Sequence, residues 1–354
     1  MTQDPSKYLK ALGYGKIYVH RDPELDFTAI VALHSTALGP AIGGCRCIQY
    51  DHFDTALNDA LQLGHAMTLK AAMHELPHGG GKSVLMIPEH CDSKQRDLIL
   101  KSFGNFLNEL NGTYITAVDS GTQPQDMDVI ATQTPYVLAD THLKSTCNPS
   151  YYTAQGVRYA MEALIEHKGY GSFSNVTIAL QGLGAVGLYL CEILLDLGAH
   201  IIATDTDPLR CEQASKTFNI NIVEPEDIYA IQANIFAPCA LGGTLNARTI
   251  PLLKADSIVG SANNPCDTSD HTEQLFKAQE ITYVPDYLAN GGGLIHVAGL
   301  YANLDSSWVD DKIKNIYTRT QQLLSQAAQQ HQSMEYLARE FAYHVLQRSH
   351  QPHT

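Results

Sequence analysis

The stretch VTIALQGLGAVGLYLCEILLDLGAHIIATD, residues 176–205, decides the fold. Residues 176–180 are β-branched or apolar throughout and read as a buried strand. Gly182, Gly184 and Gly187 follow at once with the spacing G-x-G-x-x-G, and Val186, Leu190, Ile193, Leu194 and Leu197 then share one helical face. A second apolar strand, 200–204, ends at Asp205. Strand, glycine turn, helix and strand form the context this glycine pattern needs to hold a dinucleotide. Gly182 permits the tight turn, Gly184 lets backbone amides approach a pyrophosphate, and Gly187 lets helix pack closely on strand. Ala185 and Val186 complete the helix N-terminus that faces the phosphate charge. Asp205 lies 205 − 187 = 18 residues beyond Gly187, where a carboxylate accepts hydrogen bonds from a ribose diol and repels a 2′-phosphate. That favours NAD over NADP, while Arg210, five residues on, weighs the other way. The bland alternative is a domain of this shape that binds no nucleotide.

Outward from this unit, strand-like runs recur at 234–237, 258–260 and 282–284. Strands alternating with helices argue for a doubly wound parallel sheet. Two amphipathic helices close the chain, one carrying Ile313, Ile316, Tyr317 and Leu324, the other Met334, Leu337, Phe341 and Val345. At 354 residues the chain has room for two domains of ordinary size. With 23 Lys plus Arg against 37 Asp plus Glu, the net charge of −14 and the lack of any basic run exclude nucleic acid as a partner. The residues at 1–10 lack the apolar core of a signal peptide, and the apolar run at 176–203 is interrupted by Gln181, Glu192, Asp196 and His200, so neither export nor a membrane span is expected. The eight cysteines contain no C-x-x-C pair, which reads as free thiols in a cytoplasmic protein. No metal-ligand spacing stands out.

The first third mixes strands and helices. A strand is expected at 27–33, a turn-rich segment at 38–46 (LGPAIGGCR), and a helix from Asp54, its N-cap, to around residue 67–72. The run HGGGKSVLM at 78–86 reads as a glycine loop feeding a strand, 93–110 as a helix, and 114–117 as a short strand before the polar turn at Asp119. Lys70 by itself reads as a solvated residue at a helix end. Lys82 differs, because three glycines precede it and an apolar run follows. Burial of an ammonium, or a second cation beside it, lowers its pKa toward neutrality, so Lys82 is a candidate general base. If both lysines line one cleft, Lys70 can hold a substrate carboxylate, and Asp119 can shuttle a proton. An Asx-turn or N-cap aspartate is an equal reading of Asp119 from local sequence.

Taken in order, LGPAIGGCR, MTLKAA, GGGKSV, YITAVDSGT, QGLGAVG, IFAPCALGGTLN, VGSANNP and PDYLANGGGLI resemble the glutamate/leucine/phenylalanine/valine dehydrogenase family over about residues 10–345, with its leucine-specific branch nearest. The resemblance implies NAD-dependent, reversible oxidative deamination of an L-amino acid to its 2-oxo acid and ammonia. By position, Lys70 matches the lysine on the substrate α-carboxylate. Lys82 matches the catalytic lysine that activates water, and Asp119 the aspartate that exchanges protons with the amino group. Asn263 matches an asparagine near nicotinamide and substrate, Thr153 a threonine that contacts the nicotinamide amide, and Ala237 a residue of the cofactor site. Ile42 stands where glutamate-specific relatives carry a lysine that pairs with the substrate's side-chain carboxylate. An unpaired buried carboxylate is costly, so an apolar side chain is favoured. Gly43, Ala117, Leu294 and Val297 fall where the family builds the rest of that pocket. A branched-chain substrate such as leucine is the leading reading.

Pro265, His296, Gly299, Gln155 and Tyr152 depart from the family pattern near these positions and bear on substrate preference. An aromatic (phenylalanine or tryptophan) dehydrogenase and a catalytically silent NAD-binding regulatory homologue remain the alternatives. The expected architecture is α/β. Residues 1–145, with the C-terminal helix 330–354, form an N-terminal catalytic and oligomerisation domain. Residues 146–329 form a Rossmann-type NAD-binding domain, with a cleft between the two. The resemblance also implies a homo-oligomer, dimer or octamer.

Overall fold

The computed structural model describes residues 13–139, 148–266 and 271–348. These fall into two units: 13–139 with 300–302 and 342–348, and 148–299 (less 267–270) with 303–341. The division therefore differs from 1–145 plus 330–354 against 146–329, because residues 330–341 belong with the second unit. Cys147 and residues 349–354 of the expected C-terminal helix lie outside the described residues.

The first unit runs β1 (Lys16–Asp22), β2 (Phe27–Ser35), β3 (Ala41–Arg46), α1 (Phe53–Met73), β4 (Gly79–Met86), α2 (Ser93–Glu109), β5 (Tyr114–Val118) and α3 (Pro124–Ala131). Its sheet has the order β1-β2-β4-β3-β5. The β1–β2 and β2–β4 pairs are antiparallel, and β3 lies parallel to both β4 and β5. Strand β2 is apolar at nearly every position because both its faces are covered. Ile30 and Ala32 pack on Ala56, Ala60 and Leu61 of α1, while Phe27, Ala29, Val31 and Leu33 pack toward Ile99, Phe103 and Leu107 of α2. Each fully buried side chain of this size contributes roughly 1.5–3 kcal/mol relative to exposure.

Three local expectations change. The segment at 38–46 contains a strand, β3, rather than only turns, and the glycines at 79–81 lie inside β4 rather than in a loop before it. Their lack of side chains serves packing. A Cβ on Gly80 would lie 2.0 Å from the backbone nitrogen of Thr68 in α1, and one on Gly43 would lie 1.9 Å from the carbonyl oxygen of Gly81. The N-cap of α1 is His52, which makes no side-chain cap bond; Asp54 sits in the first turn, where its charge still complements the helix dipole.

The second unit contains α4 (Pro149–Lys168), β6 (Thr177–Gln181), α5 (Ala185–Asp196), β7 (His200–Thr204), α6 (Pro208–Phe218), β8 (Asn221–Ile222), β9 (Ile235–Pro238), β10 (Ser257–Ile258), α7 (His271–Ala278), β11 (Thr282–Tyr283), α8 (Asp286–Ala289), most of α9 (Gly292–Tyr301), α10 (Ser306–Gln330) and the first half of α11 (Met334–Arg348); residues 300–301 of α9 and 342–348 of α11 belong with the first unit. All six strands are parallel, in the order β11-β10-β9-β6-β7-β8. The order reverses between β6 and β9, the place where doubly wound sheets bind ligands at their carboxyl ends. Asn148-Pro149-Ser150 starts a helix: the Asn148 side chain accepts from the Ser150 N–H, and Pro149 occupies the first turn. Along α11 the buried stripe is Met334, Leu337, Ala338, Ala342 and Leu346, whereas Phe341 is half-buried beneath the Arg319 guanidinium. Among the described residues no helix is long and apolar enough to cross a membrane.

Candidate active site

The carboxyl ends of β3 and β5 and the middle of β4 bring three charged side chains of the first unit together. Lys82 is 4% exposed, and its Nζ lies 2.7 Å from Oδ2 of Asp119, just past the end of β5. These two residues stand on strands separated by β3, so their side chains must meet above it. Gly44 makes that possible. It lies in β3 opposite Ala117, and a Cβ there would come within 2.7 Å of the Asp119 Cβ. Arg46, two residues on and therefore on the same face, places Nε 3.0 Å from that same Oδ2. Its Nη1 reaches both oxygens of Asp59 on α1, at 3.1 and 3.0 Å, and Tyr50 donates its hydroxyl to Asp59. Arg46 had no role in the sequence reading. An arginine at a strand end looks like a surface residue until the β3–β5 pairing sets it beside Asp119.

Burial by itself would raise the Asp119 pKa, but the charges of Lys82 and Arg46 outweigh it and hold the carboxyl below its usual range. The Arg46 guanidinium is likewise partly desolvated, yet Asp119 and Asp59 push its pKa above the ordinary value. The backbone beneath is fixed separately. The Asp119 N–H donates to Thr122 Oγ1 at 2.9 Å, and that hydroxyl donates to the carbonyl of Cys45 at 2.9 Å.

Lys70 is buried in the last turn of α1, two residues after Thr68, which abuts Gly80; Lys82 follows Gly80 by two in turn. The close helix–strand approach at Gly80 thus sets the spacing between the segments that carry the two lysines. Ile42 is 1% exposed and shares its face of β3 with Gly44 and Arg46. Gly43 points the other way, and its carbonyl accepts from Tyr114 Oη at 2.8 Å. Ala117 is half-buried in β5.

In the second unit the glycine turn leaves β6 with Gly182 at φ 104°, a conformation a side chain would strain. A Cβ on Gly187 would lie 2.0 Å from the Gly182 carbonyl oxygen, so α5 closes directly on the turn. Gly184, the N-cap of α5, faces open space, with only Arg210 Nη1 at 4.0 Å from where its Cβ would be. Ala185 is exposed beside it and Val186 half-buried. Free amides at a helix N-terminus with a vacant approach suit a pyrophosphate. Asp205 is tied inward: Oδ2 accepts from the Leu183 N–H at 2.7 Å and Oδ1 from the Asp207 N–H at 2.9 Å, with Arg210 Nη1 3.8 Å from Oδ2. It braces the glycine turn, a role its spacing alone does not reveal. Ala237 is buried in β9, one strand over from β6.

Asn263 is exposed, and its Oδ1 accepts from Asn290 Nδ2 at 3.0 Å; Asn290 also donates to the Ser261 carbonyl. Thr153 Oγ1 donates to the Pro149 carbonyl at 3.0 Å. Leu294 and Val297 are half-buried on α9. Between them His296 stacks on Tyr152, ring centroids 3.9 Å apart and planes within 14°, so two of the departures from the family pattern contact one another. A third, Gly299, gives room to α10: a Cβ there would lie 2.7 Å from Val309 Cγ2.

Comparison with known proteins supplies the context for this geometry. Residues 17–136 match the Glu/Leu/Phe/Val dehydrogenase dimerisation domain, and 149–208 with 210–349 match Glutamate/Leucine/Phenylalanine/Valine dehydrogenase. The chain is 39% identical over 321 residues to leucine dehydrogenase of Geobacillus stearothermophilus, covering 90% of this chain and 87% of that one. It is 36% identical over 311 residues to L-tryptophan dehydrogenase of Nostoc punctiforme, covering 87% and 86%. The crystal structure of L-tryptophan dehydrogenase from Nostoc punctiforme superposes with a TM-score of 0.82 at 33% identity, over 97% of this chain and 99% of that one. Hetero-hexameric glutamate dehydrogenase from Thermus thermophilus gives 0.79 at 19% identity, over 98% and 97%, a likeness of fold alone.

Proposed function

Because the chain belongs to the glutamate/leucine/phenylalanine/valine dehydrogenase family, and is thus an amino acid dehydrogenase acting on a CH–NH2 group, we propose that it converts a branched-chain L-amino acid such as leucine, reversibly and with NAD, to the 2-oxo acid and ammonia. The observation that carries the reading is the contact of buried Lys82 with half-buried Asp119, 2.7 Å apart, on the sheet face that also presents Ile42.

The chemistry divides between the two units. In the second, the amides at Gly184, Ala185 and Val186 would hold the pyrophosphate of a bound dinucleotide, Gly182 and Gly187 shape the turn, and Asp205 braces that turn and would face the ribose. Asp205 also favours NAD over NADP, since its carboxylate repels a 2′-phosphate. Ala237, Thr153 and Asn263 complete the cofactor side. A bound nicotinamide supplies the acceptor for the hydride that leaves the substrate Cα. In the first unit, Lys70 holds the α-carboxylate and orients Cα. Asp119, ionised at neutral pH, takes a proton from the amino group. Lys82 Nζ then activates the water that attacks the substrate iminium carbon, and in the reverse direction it polarises the oxo group. For the apolar side chain of the substrate the candidates are Ile42 and Ala117 in the first unit and Leu294 and Val297 in the second, while Gly43 points to the other face of β3. Arg46 is already committed to two carboxylates, and Ile42 offers no charge, so a glutamate side chain finds no evident counter-ion there.

The Tyr152–His296 stack beside Leu294 and Val297 favours a second reading, in which the side chain accepted is aromatic. The test is NADH formation with a panel of L-amino acids, with NADP as a parallel arm and Lys82→Ala as control. Turnover of leucine, valine or isoleucine that vanishes in Lys82→Ala is the expected result. Activity highest on phenylalanine or tryptophan selects the second reading. NAD binding without turnover of any apolar amino acid makes the chain a silent homologue and overturns both. Glutamate as best substrate overturns the argument from Ile42.

A further inference from the structure

Two cations converge on one oxygen of Asp119. Lys82 Nζ is 2.7 Å and Arg46 Nε 3.0 Å from Oδ2, the oxygen that both approach. A guanidinium is a rigid planar fork, and this one is held at its other end by both oxygens of Asp59, itself bound by Tyr50. The plane of Arg46 is therefore set by α1, and through it the rotation of the Asp119 carboxylate. The Asp119 backbone does not depend on Arg46, since Thr122 and the Cys45 carbonyl anchor it. A pair that only joined α1 to β3 would need Asp59 alone. Extending the fork to the aspartate that Lys82 also contacts serves the site.

We infer that Arg46 is a positioning residue for the reaction, pinning Oδ2 of Asp119 against Lys82 so that Oδ1 is left to the amino group of the substrate. This rests on the dehydrogenase reading above. The groups facing Asp119 are Lys82 of β4, Arg46 and Cys45 of β3, and Tyr114 at the start of β5. Burial pushes the Cys45 thiol and the Tyr114 hydroxyl up, so both stay neutral and the two cations govern the carboxylate. Loss of Arg46 removes one of the two charges that hold Asp119 low, so the acid limb of the activity profile moves to higher pH.

The experiment compares the full chain with Arg46→Met, Arg46→Lys and Asp59→Asn in kcat, in KM for the amino acid and in the pH profile of kcat/KM, with the thermal midpoint as fold control. For Arg46→Met we expect kcat to fall about 10–100-fold with KM nearly constant, and the acid limb to rise by about 1 pH unit. Arg46→Lys keeps the charge and so the position of the limb, but lacks the fork and recovers only part of kcat. Asp59→Asn frees the guanidinium and lowers kcat less. Wild-type kcat and limb in Arg46→Met, or a change in KM alone, overturn the role. Should Arg46→Met fail to fold, wild-type behaviour of both other variants overturns it equally. A wild type inactive on every amino acid overturns the dehydrogenase reading itself, a result distinct from an active wild type matched by its variants.

Discussion

Gly44→Ala isolates the geometry of the Lys82–Asp119 pair without removing any charged group. The added methyl would lie 2.7 Å from Asp119 Cβ, 3.2 Å from its Cγ and 3.1 Å from the Val118 carbonyl oxygen. Carbon atoms rest at about 3.5–4.0 Å, so the Asp119 side chain must retreat by about 1 Å. The Lys82 and Arg46 contacts on Oδ2, now 2.7 and 3.0 Å, lengthen or bend to match. A 1 Å misplacement of a reacting group costs on the order of 100-fold in rate, equivalent to about 2.7 kcal/mol of barrier. The stability cost is about 1–3 kcal/mol, because Cβ moves only with the Asp119 backbone, which Thr122 anchors; that corresponds to ~2–12 °C in thermal midpoint. The assay is kcat for the preferred amino acid at saturating cofactor, alongside thermal unfolding followed by circular dichroism. A folded Gly44→Ala protein with kcat within about threefold of wild type, well short of the loss expected from misplacement, would refute the claim that this glycine sets the pair.

The Asp119 carboxyl is depressed in the folded chain. Its contribution to stability is thus complete above the unfolded value, about 3.9, and disappears as pH falls through the lower folded value. Asp119→Asn should therefore lower the thermal midpoint at neutral pH, with the gap narrowing as pH drops below about 4; a constant gap at all pH values argues against the cation pairing. Asp205→Ala removes a bond from the Leu183 N–H at 2.7 Å, a charge-assisted contact of about 1.5–3 kcal/mol. The dissociation constant for NADH, from fluorescence titration, should rise roughly 10- to 100-fold, and an unchanged value would show that the turn keeps its shape unaided.

What could be read from sequence was what short-range pattern encodes. The strand at 200–204 appears residue for residue, and the glycine turn, its following helix and Asp205 stand in the expected order. The errors at 38–46 and 78–81 share one cause. Glycine-rich composition normally signals turns, but here glycines sit inside β3 and β4 because α1 and neighbouring backbone leave no space for a side chain. That reason is tertiary and has no trace in local pattern. The same holds for Arg46 and Asp59, 13 residues apart and joined only when α1 crosses the sheet. It holds again for Asp205, whose bond to Leu183 spans 22 residues. Lys82 and Asp119 were legible as chemistry; their meeting above Gly44 was not.

Helix α1 also acts as a gauge. Asp59, which orients Arg46, and Lys70 lie 70 − 59 = 11 residues apart on it, a separation of about 16.5 Å along the axis and just over three whole turns. Inserting or deleting a single residue between them would swing Lys70 by about 100° relative to Asp59, and would move Thr68 off the notch at Gly80. Substitutions between residues 59 and 70 leave this spacing intact, whereas a change of length there would unset both ends of the gauge at once.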